Sequence, residues 1–241
     1  MKNVLFNWSG GKDSSLALYH ALRDDRYKLS GLLTSFNGAN NRVSMHGIHQ
    51  RLIEEQARRI GLPLHPLMLP EDIDMEGYDR IMQDALKKQK RAGIHTCLFG
   101  DICLEDLKKY REQQLQKVQM EAVFPLWQQS TEQLSREFID LGFKAVVVSV
   151  NGSKMDRSFA GREYDAGFLT DLPEEVDPCG ENGEFHTFVY DGPIFDAPVS
   201  FKKREVVART YELKDGDSHS FQQLESNNSP PTYFYQDLES K

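Results

Sequence analysis

The chain has 241 residues, of which 39% are hydrophobic, 27% charged and 10% aromatic. At ~100–200 residues per domain this means one large domain or a domain with an appendage, with enough apolar surface for a sizeable core, which argues against global disorder. The formal net charge of −8 speaks against a general electrostatic grip on nucleic acid and leaves room only for a local basic groove, while three cysteines without a CxxC pair speak against a disulfide framework or a cysteine-based zinc site.

In chain order, Met1 to Asn7 becomes polar too soon for a signal peptide, and no apolar run approaches the ~18 residues of a membrane span, so a cytoplasmic location without membrane association is the expectation. Asn3 to Trp8 reads as a strand ended by Ser9-Gly10-Gly11. A helix follows, with Leu16, Leu18, Ala21 and Leu22 near helical spacing. Leu29–Phe36 is a strand stopped by Asn37-Gly38, and Ile48–Ile60 a helix ended by Gly61-Leu62-Pro63. Leu64–Leu69 is a short strand, Met75–Arg91 a helix, Thr96–Phe99 a strand and Leu104–Val118 a charged helix. Ala122–Phe124, Thr131–Leu141 and Lys144–Val150 continue as strand, helix and β-branched strand. Strands separated by crossover helices predict an α/β fold, a parallel five-stranded-type sheet with helices on both faces.

The pattern changes near Asn151. Ser158–Gly183 is rich in Gly, Asp and Pro and lacks periodicity. Glu184–Tyr190, Arg204–Leu213 and Thr232–Leu238 read as strands of a meander or hairpin, the last two separated by a polar loop from Asp215 to Pro231. The expected division is an ATP-binding α/β domain over 1–125 and a smaller α+β accessory region, facing the substrate, over 126–241.

The strongest local signal is Ser9-Gly10-Gly11-Lys12-Asp13-Ser14-Ser15, between the first strand and the first helix. Glycines let the backbone turn tightly and bring N–H groups to an anion, and the helix N-terminus adds partial positive charge. Lys12 adds a full charge, and Ser9, Ser14 and Ser15 offer hydroxyls to phosphate oxygens. Asp13 either caps the helix or holds a Mg²⁺ that bridges phosphates. The spacing is not that of the GxxxxGK[ST] phosphate loop.

Ser-Gly-Gly-Lys-Asp-Ser after an N-terminal strand resembles the PP-loop of the ATP pyrophosphatase superfamily, with its adenine nucleotide alpha hydrolase-like fold. The run Glu181-Asn182-Gly183-Glu184-Phe185-His186-Thr187 is similar to the Glu-[Asn/Gly]-Gly-Glu-aromatic-x-Thr block of the diphthine–ammonia ligase family. His46 before the Ile48–Ile60 helix with Gly-Leu-Pro, and Phe124-Pro125-Leu126-Trp127, add to the likeness, which covers roughly residues 3 to 195. The resemblance implies two-step amide synthesis: ATP adenylates a carboxylate, in the family the modified histidine diphthine of elongation factor 2, and ammonia displaces AMP, pyrophosphate having left. The cofactors implied are ATP and Mg²⁺, and the partners are ammonia and a carboxylate-bearing acceptor on a modified protein side chain. Lys12 and Mg²⁺ would stabilise charge on the leaving pyrophosphate.

On this reading Lys12, Asp13, Glu181 and Glu184 are the candidate catalytic residues. Ser9, Gly10, Gly11, Lys12, Asp13, Ser14, Ser15, His46, Gly100 and Asp101 are the candidate nucleotide-binding residues, and Asp13 is the metal ligand. Glu181 and Glu184 either present carboxylates to Mg²⁺ or the amine, or belong to a solvated glycine turn. His46 contacts the nucleotide, shuttles a proton or caps the following helix; His49 is assigned to the surface. Gly100-Asp101 lies at a carboxyl strand end, where open α/β sheets bind ligands, or Asp101 caps the next helix. Cys97 and Cys103 read as buried apolar thiols. Where the ligase family carries Gly-Ala and a Tyr-Gln-Arg-like element, this chain has Gly100-Asp101 through Tyr110-Arg111-Glu112, so the acceptor stays open. The competing functions are the same chemistry on a tRNA acceptor, against which the charge and the missing CxxC speak, and a non-catalytic ATP-binding sensor. A homodimer is the base-rate expectation.

Overall fold

The computed structural model describes residues 1–43, 46–210 and 232–241. The sequence-predicted loop Asp215–Pro231 and the last residues of the predicted strand Arg204–Leu213 lie outside the described residues. Five strands run parallel, β1 (Lys2–Asn7), β2 (Tyr27–Asn37), β4 (Leu64–Leu69), β5 (Thr96–Leu98) and β6 (Glu121–Val123), in the spatial order β4-β2-β1-β5-β6. The two-residue β3 (Arg42–Val43) pairs antiparallel with the end of β2. The crossovers are α1 (Lys12–Leu22), α2 (Gln50–Ile60), α3 (Met75–Arg91) and α4 (Glu105–Lys117).

Because side chains alternate across a strand, β1 sends Val4, Phe6 and the following Trp8 into one core and Leu5 into the other. The first core is shared with Leu16 and Leu18 of α1 and Leu52 and Ile53 of α2. The second is closed by Leu86 of α3 and Leu115 of α4. Helices therefore cover both faces, as an all-parallel sheet requires. Since all five strands share one direction, their carboxyl ends lie along one edge.

The parallel series stops at β6, which corrects one expectation. The β-branched run predicted as the next parallel strand is β7 (Lys144–Asn151), a central strand of a second, antiparallel sheet ordered β8-β7-β10-β9 with β8 (Phe185–Asp191), β9 (Phe201–Thr210) and β10 (Thr232–Ser240). All of Ala145–Val150 is buried, and a strand buried on both faces reads alike in either kind of sheet. α5 (Thr131–Asp140) leads into it, its Leu134 and Phe138 joining the first core beside Val146 and Val148. The aperiodic stretch Ser158–Gly183 holds a short helix, α6 (Ala166–Asp171), capped by Asp165, whose carboxylate accepts from the Phe168 N–H at 2.8 Å. Among the described residues no helix is long and apolar enough to cross a membrane.

Candidate functional site

The loop Ser9–Ser15 stands where β1 ends at the carboxyl edge of the parallel sheet. Gly10 has φ +81°, a left-handed conformation that disfavours a side chain, and a Cβ there would lie 2.6 Å from Ile53 Cδ1 and 2.7 Å from Gln56 Oε1. Gln56 is the fastener beneath. Its amide donates to the Gly10 carbonyl at 3.0 Å and to the Val189 carbonyl at 2.6 Å, while its oxygen accepts from the Trp8 indole N–H at 2.9 Å. The sequence does carry a signal for this residue, a polar side chain among the buried Leu52, Ile53 and Ala57 of α2.

Strand β8 grips the loop from the other side. The Val189 N–H donates to the Gly10 carbonyl at 3.0 Å, and the Lys12 N–H donates to the Thr187 hydroxyl at 3.0 Å. The helix begins at Lys12 with Gly11 as its N-cap and without a side-chain cap, so Asp13 does not cap it. The hydroxyls of Ser14 and Ser15 donate to the Gly11 carbonyl at 3.0 and 2.9 Å, and Ser9 Oγ donates to Ser14 Oγ at 3.0 Å. Gly100 packs against this turn, where a Cβ would come within 2.9 Å of the Ser14 backbone. The glycine is required by that close approach.

Lys12, expected to face a ligand, is buried at 4% exposure. Its ammonium donates to both Asp13 oxygens, at 2.7 and 2.8 Å, and to the Cys179 carbonyl. It also lies 5.6 Å from the Phe185 ring centroid and 5.9 Å from that of Tyr164. Burial is the largest effect and acts to lower its pKa, but Asp13, Cys179 and Tyr164 together outweigh it, and the ammonium is held well above its ordinary range. Burial lifts Asp13 above the usual carboxylate range against the pull of Lys12.

Opposite Asp13 stands the segment Asp177–Glu184. Asp177 organises it, accepting from the Cys179 N–H at 2.7 Å and the Thr131 hydroxyl at 2.7 Å. Glu184 is fully buried and turned into its own loop, its carboxylate accepting from the Asp177 N–H (3.2 Å), the Asn182 N–H (2.9 Å) and the Asn182 amide (3.0 Å). Among the described residues Glu181 accepts only a long 3.4 Å contact from Cys103 Sγ, and burial together with the Asp13 charge pushes its carboxyl up to about 7. Cys103 is exposed beside this carboxylate, whereas Cys97 is buried; a shared reading as core thiols holds only for Cys97.

Two predictions arise here. Glu184→Gln replaces an acceptor by an amide that cannot serve all three donors. Its expected cost is ~1–3 kcal/mol in chemical denaturation, the penalty of buried groups left unsatisfied, and turnover should fall more than ATP affinity. A pair such as Glu181 and Asp13, each carrying a raised pKa, binds more protons folded than unfolded. Between the unfolded carboxyl range and about 7, stability should therefore fall as pH rises. Glu181→Gln should flatten that slope in urea titrations run from pH 5 to 8, and an unaltered slope would contradict the assignment.

The remaining candidates separate. The His46 ring stacks on His186, with centroids 4.4 Å apart and planes at 20°, beside Gly11, whose Cβ would lie 3.2 Å from His46 Cε1. His46 does not cap α2; His49 does, its Nδ1 accepting from the Arg51 N–H at 3.3 Å. Asp101 does not cap α4, whose N-cap is Leu104. It pairs instead with Arg111, at 2.7 and 3.2 Å. Sequence reasoning assigned no role to Gln56, Asp177, His186, Thr187 or Arg111.

The sequence models of the diphthamide synthase N-terminal and C-terminal domains match residues 1–123 and 130–217. The diphthine–ammonia ligase of Homo sapiens is 30% identical over 83% of this chain and 82% of its own length. That of Danio rerio is 24% identical over 83% and 86%. That of Bos taurus is 28% identical over 58% of this chain, a match spanning about half of that relative (53%). With a glycine loop at the carboxyl edge of a parallel sheet, clasped by the segment that carries Glu181 and Glu184, and with both domain models matched, the chain belongs to the diphthamide synthase family.

Proposed function

We propose that this protein is an ATP-dependent amide ligase of the diphthine–ammonia ligase type, adenylating a carboxylate and transferring ammonia to it with release of AMP and pyrophosphate. The observation that carries the reading is the convergence of the Ser9–Ser15 loop, Lys12-Asp13 and Glu181 at one sheet edge, in a chain whose family uses ATP and ammonia. Residues 1–125 bind ATP, and 126–241 supply the other wall of the site and the acceptor side.

The phosphates lie against the first turn of α1, where the N–H groups of Asp13 and Ser14 have no acceptor within the helix and its dipole favours negative charge. Gly10 and Gly11 admit the close approach, and Ser9 and Ser14 line it; Ser15, buried under the Gly11 carbonyl, stiffens the turn. Lys12 keeps Asp13 oriented and offsets its charge. Gly100 and the Asp101–Arg111 pair border the acceptor carboxylate, which Arg111 is suited to meet. Holding the carboxylate next to the α-phosphate turns adenylation into an effectively unimolecular step.

A Mg²⁺ fits the donor set. Among the described residues no three metal-ligating side chains gather, and Mg²⁺ ordinarily takes one or two carboxylates together with phosphates and water. Asp13 and Glu181 are such carboxylates; burial first, and a neighbouring acid second, raise their pKa values, an environment in which a cation would favour the ionised form. The ion would supply charge neutralisation on the phosphates. Glu184 acts through Glu181 by holding its loop. The acceptor is a carboxylate on a modified protein side chain, diphthine being the first to test, and the active assembly is a homodimer.

The test is product analysis with ATP, Mg²⁺, ammonium and diphthine-bearing elongation factor. AMP, pyrophosphate and amide appearing together only with the acceptor is the expected result. ADP and phosphate as products would refute the mechanism.

A further inference from the structure

We propose that His46 forms a second wall of the polyphosphate site, facing the loop amides, and takes up a proton as the phosphates bind, with His186 as the positioning residue that holds its ring. The inference rests on the nucleotide-binding reading of the Ser9–Ser15 loop and assigns a part of that site which lies outside the loop.

Three observations carry it. The imidazole carbon Cε1, which joins the two ring nitrogens, lies with the Thr187 carbonyl oxygen closest to Gly11, each 3.2 Å from where a Cβ would stand; Gly11 is the residue that caps α1. The nitrogen Nδ1, bonded to that carbon, is buried and has no hydrogen-bond partner among the described residues. A buried orphan nitrogen costs free energy unless a ligand satisfies it. Finally, the stack on His186 at 4.4 Å and 20° fixes the ring plane, so the nitrogen's direction is set before any ligand arrives.

The charge environment determines the direction of proton movement. Burial lowers both imidazoles, His186 to about 4 and His46 well below its ordinary value. On His46 the further contributions come from His186 on β8 and Lys12 on α1, both lowering, and from a Thr187 backbone contact that opposes them. On His186 the charged neighbour is Lys12, whose own partner is Asp13. Both rings are therefore neutral at pH 7, in a field made positive by Lys12. A polyphosphate of several negative charges reverses that field. Only one ring then gains a proton, because two stacked imidazolium rings would repel each other; burial depresses His46 the more strongly of the two, but its unpartnered Nδ1 is the nitrogen placed to bond a phosphate oxygen, so the ligand charges His46. The protonated ring donates a charge-assisted hydrogen bond.

Isothermal titration calorimetry with Mg²⁺ and α,β-methylene-ATP, in buffers of different ionisation enthalpy at pH 7, measures proton uptake without turnover. The wild-type protein should take up more protons than His46→Asn. The variant should also bind the analogue about tenfold more weakly, the worth of one charge-assisted hydrogen bond, while adenosine binds both equally. Ring ¹⁵N shifts of the unsubstituted protein should report His46 protonation on addition of the analogue, independently of how any variant folds. His186→Phe, which keeps an aromatic ring for the stack but removes the imidazole that lowers His46, should raise the pH at which His46 titrates. Equal uptake in wild type and His46→Asn, or His46 shifts that stay still while the analogue binds, would overturn the proposal and leave the nucleotide site standing. Failure of the analogue to bind wild-type protein at all would remove the loop reading and this inference together.

Discussion

Lys12→Ala is expected to reduce turnover by ~10²–10³-fold and, unlike a substitution at an exposed ligand contact, to destabilise the fold as well. The side chain is buried among Tyr164, Phe185, Asp13 and the Cys179 carbonyl. Its removal leaves Asp13 facing Glu181 and Asp177 without a cation. Removing one partner of a fully buried ion pair costs ~3–5 kcal/mol, and since Asp13 keeps 31% exposure the expectation here is ~2–3 kcal/mol. Urea unfolding at pH 7.5 reads the stability and pyrophosphate release reads the turnover. With the cation gone, both Asp13 and Glu181 should titrate at higher pH, so the loss of stability should shrink toward pH 5, where the carboxyls are protonated. A variant as stable as the parent would mean that the Asp13–Lys12–Cys179 linkage holds nothing together.

Gly10→Ala should weaken ATP binding strongly. The φ of +81° costs a non-glycine residue roughly 1–2 kcal/mol. The new methyl also collides with Ile53 and Gln56, at 2.6 and 2.7 Å, and overpacking of that kind typically adds ~1–3 kcal/mol. Gln56 cannot retreat without releasing Trp8, the Gly10 carbonyl and the Val189 carbonyl. The strain is therefore relieved by moving the loop, the element meant to meet phosphate. Calorimetry with the methylene analogue should show a loss of affinity of roughly 30-fold to several thousandfold, the equivalent of the combined ~2–5 kcal/mol, and near-parental affinity would place the phosphates elsewhere.

Much of the architecture was legible locally. The helix Met75–Arg91 was read with its observed ends, because amphipathic spacing and a capping Asp74 act within a few residues. Gly61 stops α2 in a left-handed cap with φ 77°, a conformation that glycine adopts at little cost. The glycine loop was visible because its conformational demand is written in residue type. What failed locally was pairing. β7 carries the same valine run whether its neighbours are parallel or antiparallel, and only its contacts with β8 and β10 decide. Of the alternatives for His46, the helix cap falls instead to His49, which accepts the cap bond, while His46 is drawn onto His186, a residue 140 positions away in the chain.

By itself the sequence determined the alternation of strands and helices in the first half, the loop between β1 and α1 and the family to which the chain belongs, since these depend on residue type and short spacing. Tertiary structure alone decided which side chains of the site act on which. Lys12 is turned from solvent toward Asp13 and Cys179, Glu184 into its own loop, and Asp101 onto Arg111. The physical reason is common to all three. A charged group's direction is set by whichever partner satisfies it at least desolvation cost, and, Asp13 beside Lys12 apart, those partners come from α4 and from the 177–184 segment, which only the folded chain brings to the edge of the parallel sheet.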